Sequence, residues 1–191
     1  MTSILKADTI QDTDGNNIIN ENSNTITIGA SGDTTNIIGT LQNNGAAVGG
    51  ANTPIFFLNK TDSQSISNNT TTKVTFNSEL IDTDSAVSSS TFTVPSGKAG
   101  KYFFVFTVTS EQGNDGDYLS AYIYHQGGIY ARTLNRYPAN VSLTSIVTAT
   151  IDLSVGETVE AYVRQNTGSS QTVTGETAEK RTTFTGYKLI T

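Results

Sequence analysis

Apolar residues in this chain recur at every second position rather than every third or fourth. The run Lys101–Thr109 sets Tyr102, Phe104, Phe106 and Val108 on one face and Phe103, Val105 and two threonines on the other. Apolar residues on both faces predict a strand covered on both sides. Tyr118–Tyr124 alternates Leu119, Ala121 and Ile123 with Tyr118, Ser120, Tyr122 and Tyr124. Val147, Ala149, Ile151 and Leu153 form another alternating set, as do Val159, Ala161 and Val163. Shorter runs carry Val74 with Phe76, Phe92 with Val94, and the closing Thr183–Ile190. No stretch carries a helical stripe, so the chain is predicted to be all-β. Short strands between Gly-, Pro-, Asn- and Ser-rich turns predict a β-sandwich or jelly roll. Gly156 suits a tight hairpin turn, and Gly186 predicts close approach of an edge or neighbouring chain.

The first fifty residues follow a different pattern. Their large apolar residues come in pulses: Ile4-Leu5, Ile10, Ile18-Ile19, Ile26, Ile28, Ile37-Ile38 and Leu41. "GNNIIN" at 15–20 is echoed by "TTNIIG" at 34–39. All eight Phe and eight Tyr lie beyond residue 50, after the small-residue stretch Asn43–Pro54. We therefore divide the chain into residues 1–50 and 51–191. One copy of the first region has too little apolar surface for a core, and a lone hairpin is marginal in water. It is either a disordered tail or, as the regular Ile pulses favour, a short β stalk. In that stalk identical chains around a threefold axis cover each other's open faces, with Ile26, Ile28, Ile37 and Ile38 at the interface.

Composition narrows the function. The 191 residues are 35% hydrophobic and 15% charged, with a net charge of −6. Lys6 faces five carboxylates within the first fifty residues. No basic stripe exists, which excludes nucleic acid as an expected partner. Cysteine is absent, so there is no disulfide framework. No apolar run approaches the ~20 residues of a membrane-spanning helix, and membrane insertion is not expected. The N-terminus lacks the apolar core of a signal peptide, so synthesis in a cytoplasm is expected.

Candidate chemistry is sparse. His125 is the sole histidine, which leaves no partner for a zinc site or a catalytic triad. Asp82 with Asp84, and Asp115 with Asp117, are the closest carboxylate pairs, but both sit in turn-rich segments where Asp bonds its own backbone. The chain is expected to be non-enzymatic. "DTDGNN" at 12–17 fails as a calcium loop because its Gly comes too early and Ser23 holds the closing position. Asp115 and Asp117 in "GNDGDY" could offer oxygens to calcium, or form an ordinary loop. His125–Asn140 combines Tyr130, Arg132, Arg136 and Tyr137, candidate contacts for a receptor or glycan. The alternative is a plain strand connection covering the sandwich. Asn166–Arg181 is polar and is expected to be an exposed loop.

The order of motifs after residue 50 resembles a known family. Val74, Phe76 and Asn77 come first, then Phe92, Thr93 and Pro95, then Gly100, Tyr102 and Phe104. Leu153, Gly156, Glu157 and Val159 follow, and Phe184, Gly186 and Leu189 close the series. This series is similar to the globular head of the first complement component and its relatives in the tumour-necrosis-factor superfamily. The resemblance implies a jelly-roll knob that associates as a tight homotrimer through aromatic-rich faces, with calcium near the axis in some relatives. It makes Tyr102, Phe103, Phe184 and Tyr187 candidates for the threefold interface, plain core being the alternative. The sequence "SILKADTIQDTDGNNIINENSNTITIGASGDTTNIIGTLQNNGAAVGG" resembles the N-terminus of fibre and appendage proteins of marine bacteriophages. That implies a virion protein joined to other virion proteins through residues 1–50, with the knob facing outward. Its expected role is host-cell attachment through a surface glycan or protein. Capsid decoration is the alternative, and a soluble cytokine-like ligand a third.

Overall fold

The computed structural model describes residues 20–22, 25–27, 32, 34–39, 41–43, 46–47 and 52–189. The chain divides into two units, residues 1–50 and residues 51–191. In the first, β1 (Asn20–Asn22) pairs antiparallel with β2 (Thr25–Thr27), and β3 (Gln42–Asn43) with β4 (Ala46–Ala47). Ile26 stands opposite Glu21 in β2. Its side chain, and Ile28 altogether, lie outside the described residues. Ile37, Ile38 and Leu41 are exposed, Ile38 by 94%. Isoleucine held in water forfeits the stabilisation that burial would bring, about 1.5–3 kcal/mol per side chain.

Among its described residues the second unit holds thirteen strands. They are β5 (Ile55–Asn59), β6 (Gln64–Ile66), β7 (Thr72–Lys73), β8 (Ser78–Asp82), β9 (Val87–Ser88) and β10 (Thr91–Thr93), followed by β11 (Gly100–Gly113), β12 (Tyr118–His125), β13 (Gly128–Arg136), β14 (Val141–Leu153), β15 (Thr158–Gln165), β16 (Gln171–Val173) and β17 (Thr183–Lys188). One sheet runs β8–β5–β17–β11–β14, with β16 and then β6 continuing beside the far end of β11. The other runs β9–β10–β15–β12–β13, with β7 also against β15. All these strand pairings are antiparallel.

The two sheets face each other through the alternating sets that the sequence marks. Tyr102, Phe104, Phe106 and Val108 of β11 and Val147, Ala149, Ile151 and Leu153 of β14 are buried on one side. Leu119, Ala121 and Ile123 of β12 and Val159, Ala161 and Val163 of β15 are buried on the other. At one end the core is aromatic. Phe56 lies 5.1 Å from both Phe92 and Phe184, and Phe92 lies 5.3 Å from Tyr102. Phe104 fills the space between them, with rings offset or edge-on as aromatic quadrupoles prefer.

Gly186 makes that packing feasible. A Cβ there would come within 2.7 Å of Phe56 Cε1 and closer still to Phe104. It is the core rings, rather than a neighbouring chain, that require this glycine. Gly156 has φ +85° in the β14–β15 turn, as expected. The segment Asn166–Arg181 departs from the loop expected of it. It contains β16, which pairs with β6 and β11 and buries Val173 completely.

Candidate functional site

The expected recognition segment His125–Asn140 is strand rather than loop. After a tight turn closed by the His125–Gly128 pair, it becomes β13, an edge strand paired only with β12 among the described residues. Tyr130 is half-exposed and donates its hydroxyl to Thr150 O at 3.0 Å. Arg132 is exposed, with its guanidinium 5.6 Å from the centre of the Tyr122 ring. Arg136 is exposed and donates from Nη1 to Gly116 O at 2.6 Å. Tyr137 does not belong with them. It is 1% exposed, and its ring lies where a Cβ on Gly113 would stand, 2.6 Å away. Burial pushes its hydroxyl pKa up. Tyr137 is therefore a core plug, unable to touch a receptor.

The sequence reading missed the surface beside β13. Residues directly opposed across strands share a face of the sheet. Tyr122 stands opposite Arg132 on one side and Tyr162 on the other, and Ser120 stands between Leu134 and Arg164. Tyr118 opposes Arg136, and Tyr124 opposes Glu160. These residues point away from the core set of β12 and β15, so they build one outward face. Tyr124 and Tyr162 pack with ring centres 4.1 Å apart and a 30° tilt, and Tyr122 meets Tyr124 edge-on at 6.2 Å. Burial raises the pKa of Tyr124 and Tyr162, and the neighbouring tyrosine and Glu160 add to it.

Glu160 is held by Lys73 at 2.7 Å, Thr91 at 2.8 Å and the Tyr162 hydroxyl at 3.2 Å. Burial alone would raise its pKa, but the donors from Lys73 and Thr91 outweigh it and keep the carboxyl below its ordinary value. Asn69 accepts from Arg164 Nη2 at 3.3 Å.

The remaining candidates separate into exposed and structural groups. Tyr102 and Phe184, expected at a threefold axis, are fully buried within one chain. Their alternation faces them inward, so neither reaches a neighbour. Phe103 and Tyr187 do face outward, partly buried, with ring centres 5.7 Å apart. Ile55 opposes Tyr187, and Phe57 shares their side of the sheet with Ile81 and Val105. The outer face of β11 is thus half-covered in one chain, where the sequence predicts full burial.

Asp117 Oδ2 accepts its own turn's Asn114 N at 2.9 Å, and Asp115 is exposed. No three His, Cys, Asp or Glu side chains cluster as metal ligands among the described residues. Asp82 accepts the backbone N–H groups of Ala86 and Val87, and Asp84 lies 3.3 Å from Lys98. His125 Nε2 is 3.2 Å from Glu157 Oε2 at the end of β12.

No family model matches this chain, and no curated protein matches it in sequence. Solved structures match its fold. The globular domain of zebrafish complement 1qA protein is similar with a TM-score of 0.52 and 19% identity, over 72% of this chain and 98% of that one. Murine APRIL at pH 5.0 is similar with a TM-score of 0.53 and 13% identity, over 71% of this chain and 98% of that one. At such identities the likeness is one of fold. The chain carries the jelly-roll sandwich of the complement-head and tumour-necrosis-factor-like type.

Proposed function

We propose that the chain is a non-enzymatic virion protein, a short homotrimeric phage fibre or appendage whose jelly-roll knob faces outward for host-cell attachment. One observation carries the trimer. β13 and β14 are the edge strands of the two sheets and lie side by side, joined by Tyr130 to Thr150 and by Asn135 to Thr144. Exposed on this double edge are Ile129, Leu134, Val141 and Ile146. Long apolar edges invite pairing or aggregation unless something covers them. The half-covered outer face with Ile55, Phe57, Phe103, Val105 and Tyr187 is a fitting cover when it belongs to another copy. Such an edge-to-face contact is heterologous, the kind that forms a ring when its rotation closes. The family resemblance supplies the number three.

Two further points support an outward-facing attachment knob. The chain enters at Pro54, whose carbonyl accepts from Lys188 N at 3.0 Å, so both described ends of this unit lie at one end of the sandwich. The opposite loops are left free. The carboxylate pairs that might have served catalysis are engaged in turns or ion pairs. A soluble cytokine-like ligand is compatible with the fold. The N-terminal region with its exposed Ile37, Ile38 and Leu41 favours an appendage, since those side chains need partners.

Light scattering on the full chain tests the assembly. Three copies of the 20.3 kDa chain give about 61 kDa, and Phe103→Asp or Ile146→Asp should yield monomer. A monomeric parent chain overturns the trimer. Adsorption to host cells with competition against infection supports attachment, whereas rebinding to stripped capsids with no cell binding assigns the chain to capsid decoration.

A further inference from the structure

We propose that the outer face of the β10–β15–β12–β13 sheet binds an acidic polysaccharide, with carboxylates on Arg132 and Arg164 and sugar rings over Tyr124 and Tyr162. This deepens the attachment reading and rests on it. The first support is charge. Arg132, Arg136 and Arg164 lie on this face, and none has a carboxylate within ion-pair distance among the described residues. Glu160, opposite Tyr124, is neutralised by Lys73. A chain of net charge −6 thus gathers unpaired guanidiniums on one sheet face. An isolated positive patch on an acidic protein concentrates an anionic ligand there.

The second support is unsatisfied polarity. Ser120 is fully buried and its hydroxyl has no partner, and neither does the buried Nε of Arg164 opposite it. Buried polar atoms without partners cost stability, and their presence in a native face needs an explanation. Rotation of the Arg164 side chain on binding would present Nε, together with an Nη, to a ligand carboxylate in the forked geometry that Arg favours.

Spacing and shape select the ligand. Arg132 on β13 and Arg164 on β15 are separated by β12 and offset by two residues along the strands. Sheet geometry puts their backbones roughly 12 Å apart. That is the reach of a short oligosaccharide rather than a single sugar. The Tyr124 and Tyr162 rings, packed at 4.1 Å with a 30° tilt, present partly exposed aromatic surface beside this span, suited to the apolar face of a pyranose ring. A nucleic acid would also stack, but its dense phosphates meet a protein of net negative charge with only three unpaired guanidiniums. This face lies on the opposite side of the sandwich from the aromatic face assigned to the trimer; the trimer contact reaches it only along the β13 edge at Ile129 and Leu134, so the β12 and β15 part with Tyr124, Tyr162 and Arg164 stays open.

The test uses the full chain and calorimetric titration with oligomers of polygalacturonate, alginate and polysialic acid. Dextran, polyglutamate and oligo-dT serve as controls. Saturable binding to at least one acidic glycan is expected, weakening with salt. Arg132→Gln with Arg164→Gln, or Tyr162→Ala, should lower that affinity by about tenfold or more, while Arg181→Gln leaves it unchanged. Each variant is checked for an unaltered melting temperature and mass. Three results overturn the proposal: no binding to any of the three glycans, undiminished binding by the double arginine variant, or equal binding to polyglutamate or oligo-dT. A trimer that adsorbs to cells but ignores all three glycans sinks this inference alone. A chain that binds a glycan yet never adsorbs to cells upholds the inference and sinks the attachment reading.

Discussion

Gly186 offers a sharp test of the packing argument. Replacing it with alanine adds one carbon to β17, pointing into the aromatic end of the core. That carbon would stand 2.7 Å from Phe56 Cε1 and closer to Phe104. Carbon atoms settle near 3.5–4.0 Å, so the rings must retreat by about 1 Å. They have nowhere to go. Phe56 and Phe104 are fully buried and are braced by Phe92, Tyr102 and Phe184. Overpacking of this kind costs about 1–3 kcal/mol. For a chain of this size each kcal/mol lowers the melting temperature by about 2–4 °C. Gly186→Ala should therefore melt about 2–12 °C below the parent in scanning calorimetry at matched protein concentration. Adding Phe104→Leu to Gly186→Ala frees the contested space and should recover part of the loss. An unchanged or raised melting temperature for Gly186→Ala would refute the reasoning. So would strict additivity of the two substitutions, because residues sharing one space are coupled.

Two pH-linked predictions accompany it. Glu160 has its carboxyl pKa held below the ordinary 4.5, so its contribution to stability is present above that value and is lost as the pH falls through the folded one. Glu160→Gln should melt below the parent near pH 7, with the gap closing as the pH falls below the ordinary carboxylate value and through the lowered folded one. A gap that stays constant with pH removes the ion-pair explanation. Burial, with Asp84 adding, pushes the Tyr102 hydroxyl up to about 12, and that hydroxyl donates to Lys98 O at 2.6 Å. The protonated form is favoured in the fold, so its contribution is full below the ordinary value of 10 and is lost as the pH rises through about 12. Ultraviolet titration should show late-titrating tyrosines, and Tyr102→Phe should reduce the late amplitude by one tyrosine. A late amplitude that Tyr102→Phe leaves unchanged rejects this placement of Tyr102.

Alternation made much of the sandwich legible, because a strand with one buried face must repeat every two residues. The sets led by Tyr102, Leu119, Val147 and Val159 face the core as read. Val173 was illegible for the same reason in reverse. Its strand is three residues long and carries one apolar side chain, too little for any period. Tyr137 misled because a tyrosine beside Arg and Asn looks like a contact residue. Only the fold shows its ring lying over Gly113. The face built from Tyr122, Tyr124, Tyr162 and Arg164 could have been suspected, since Tyr122 and Tyr124 fall on the polar side of an alternating strand. What no linear pattern showed was that β15 would lie beside β12 in a register that packs Tyr162 against Tyr124. Cross-strand register depends on the whole sheet, not on either strand alone.

The hydrogen bonding of β5 governs how the knob bears mechanical load. A pull transmitted through residue 52 acts along Ile55–Asn59, which is bonded on one edge to β17 and on the other to β8. With the far loops anchored to a surface, the tension runs parallel to the strand. The bonds on both edges are then sheared together rather than peeled apart one after another. Phe56 and Leu58, locked into the interior, resist the same sliding. A sandwich threaded in this way resists a pull along β5 and keeps its form.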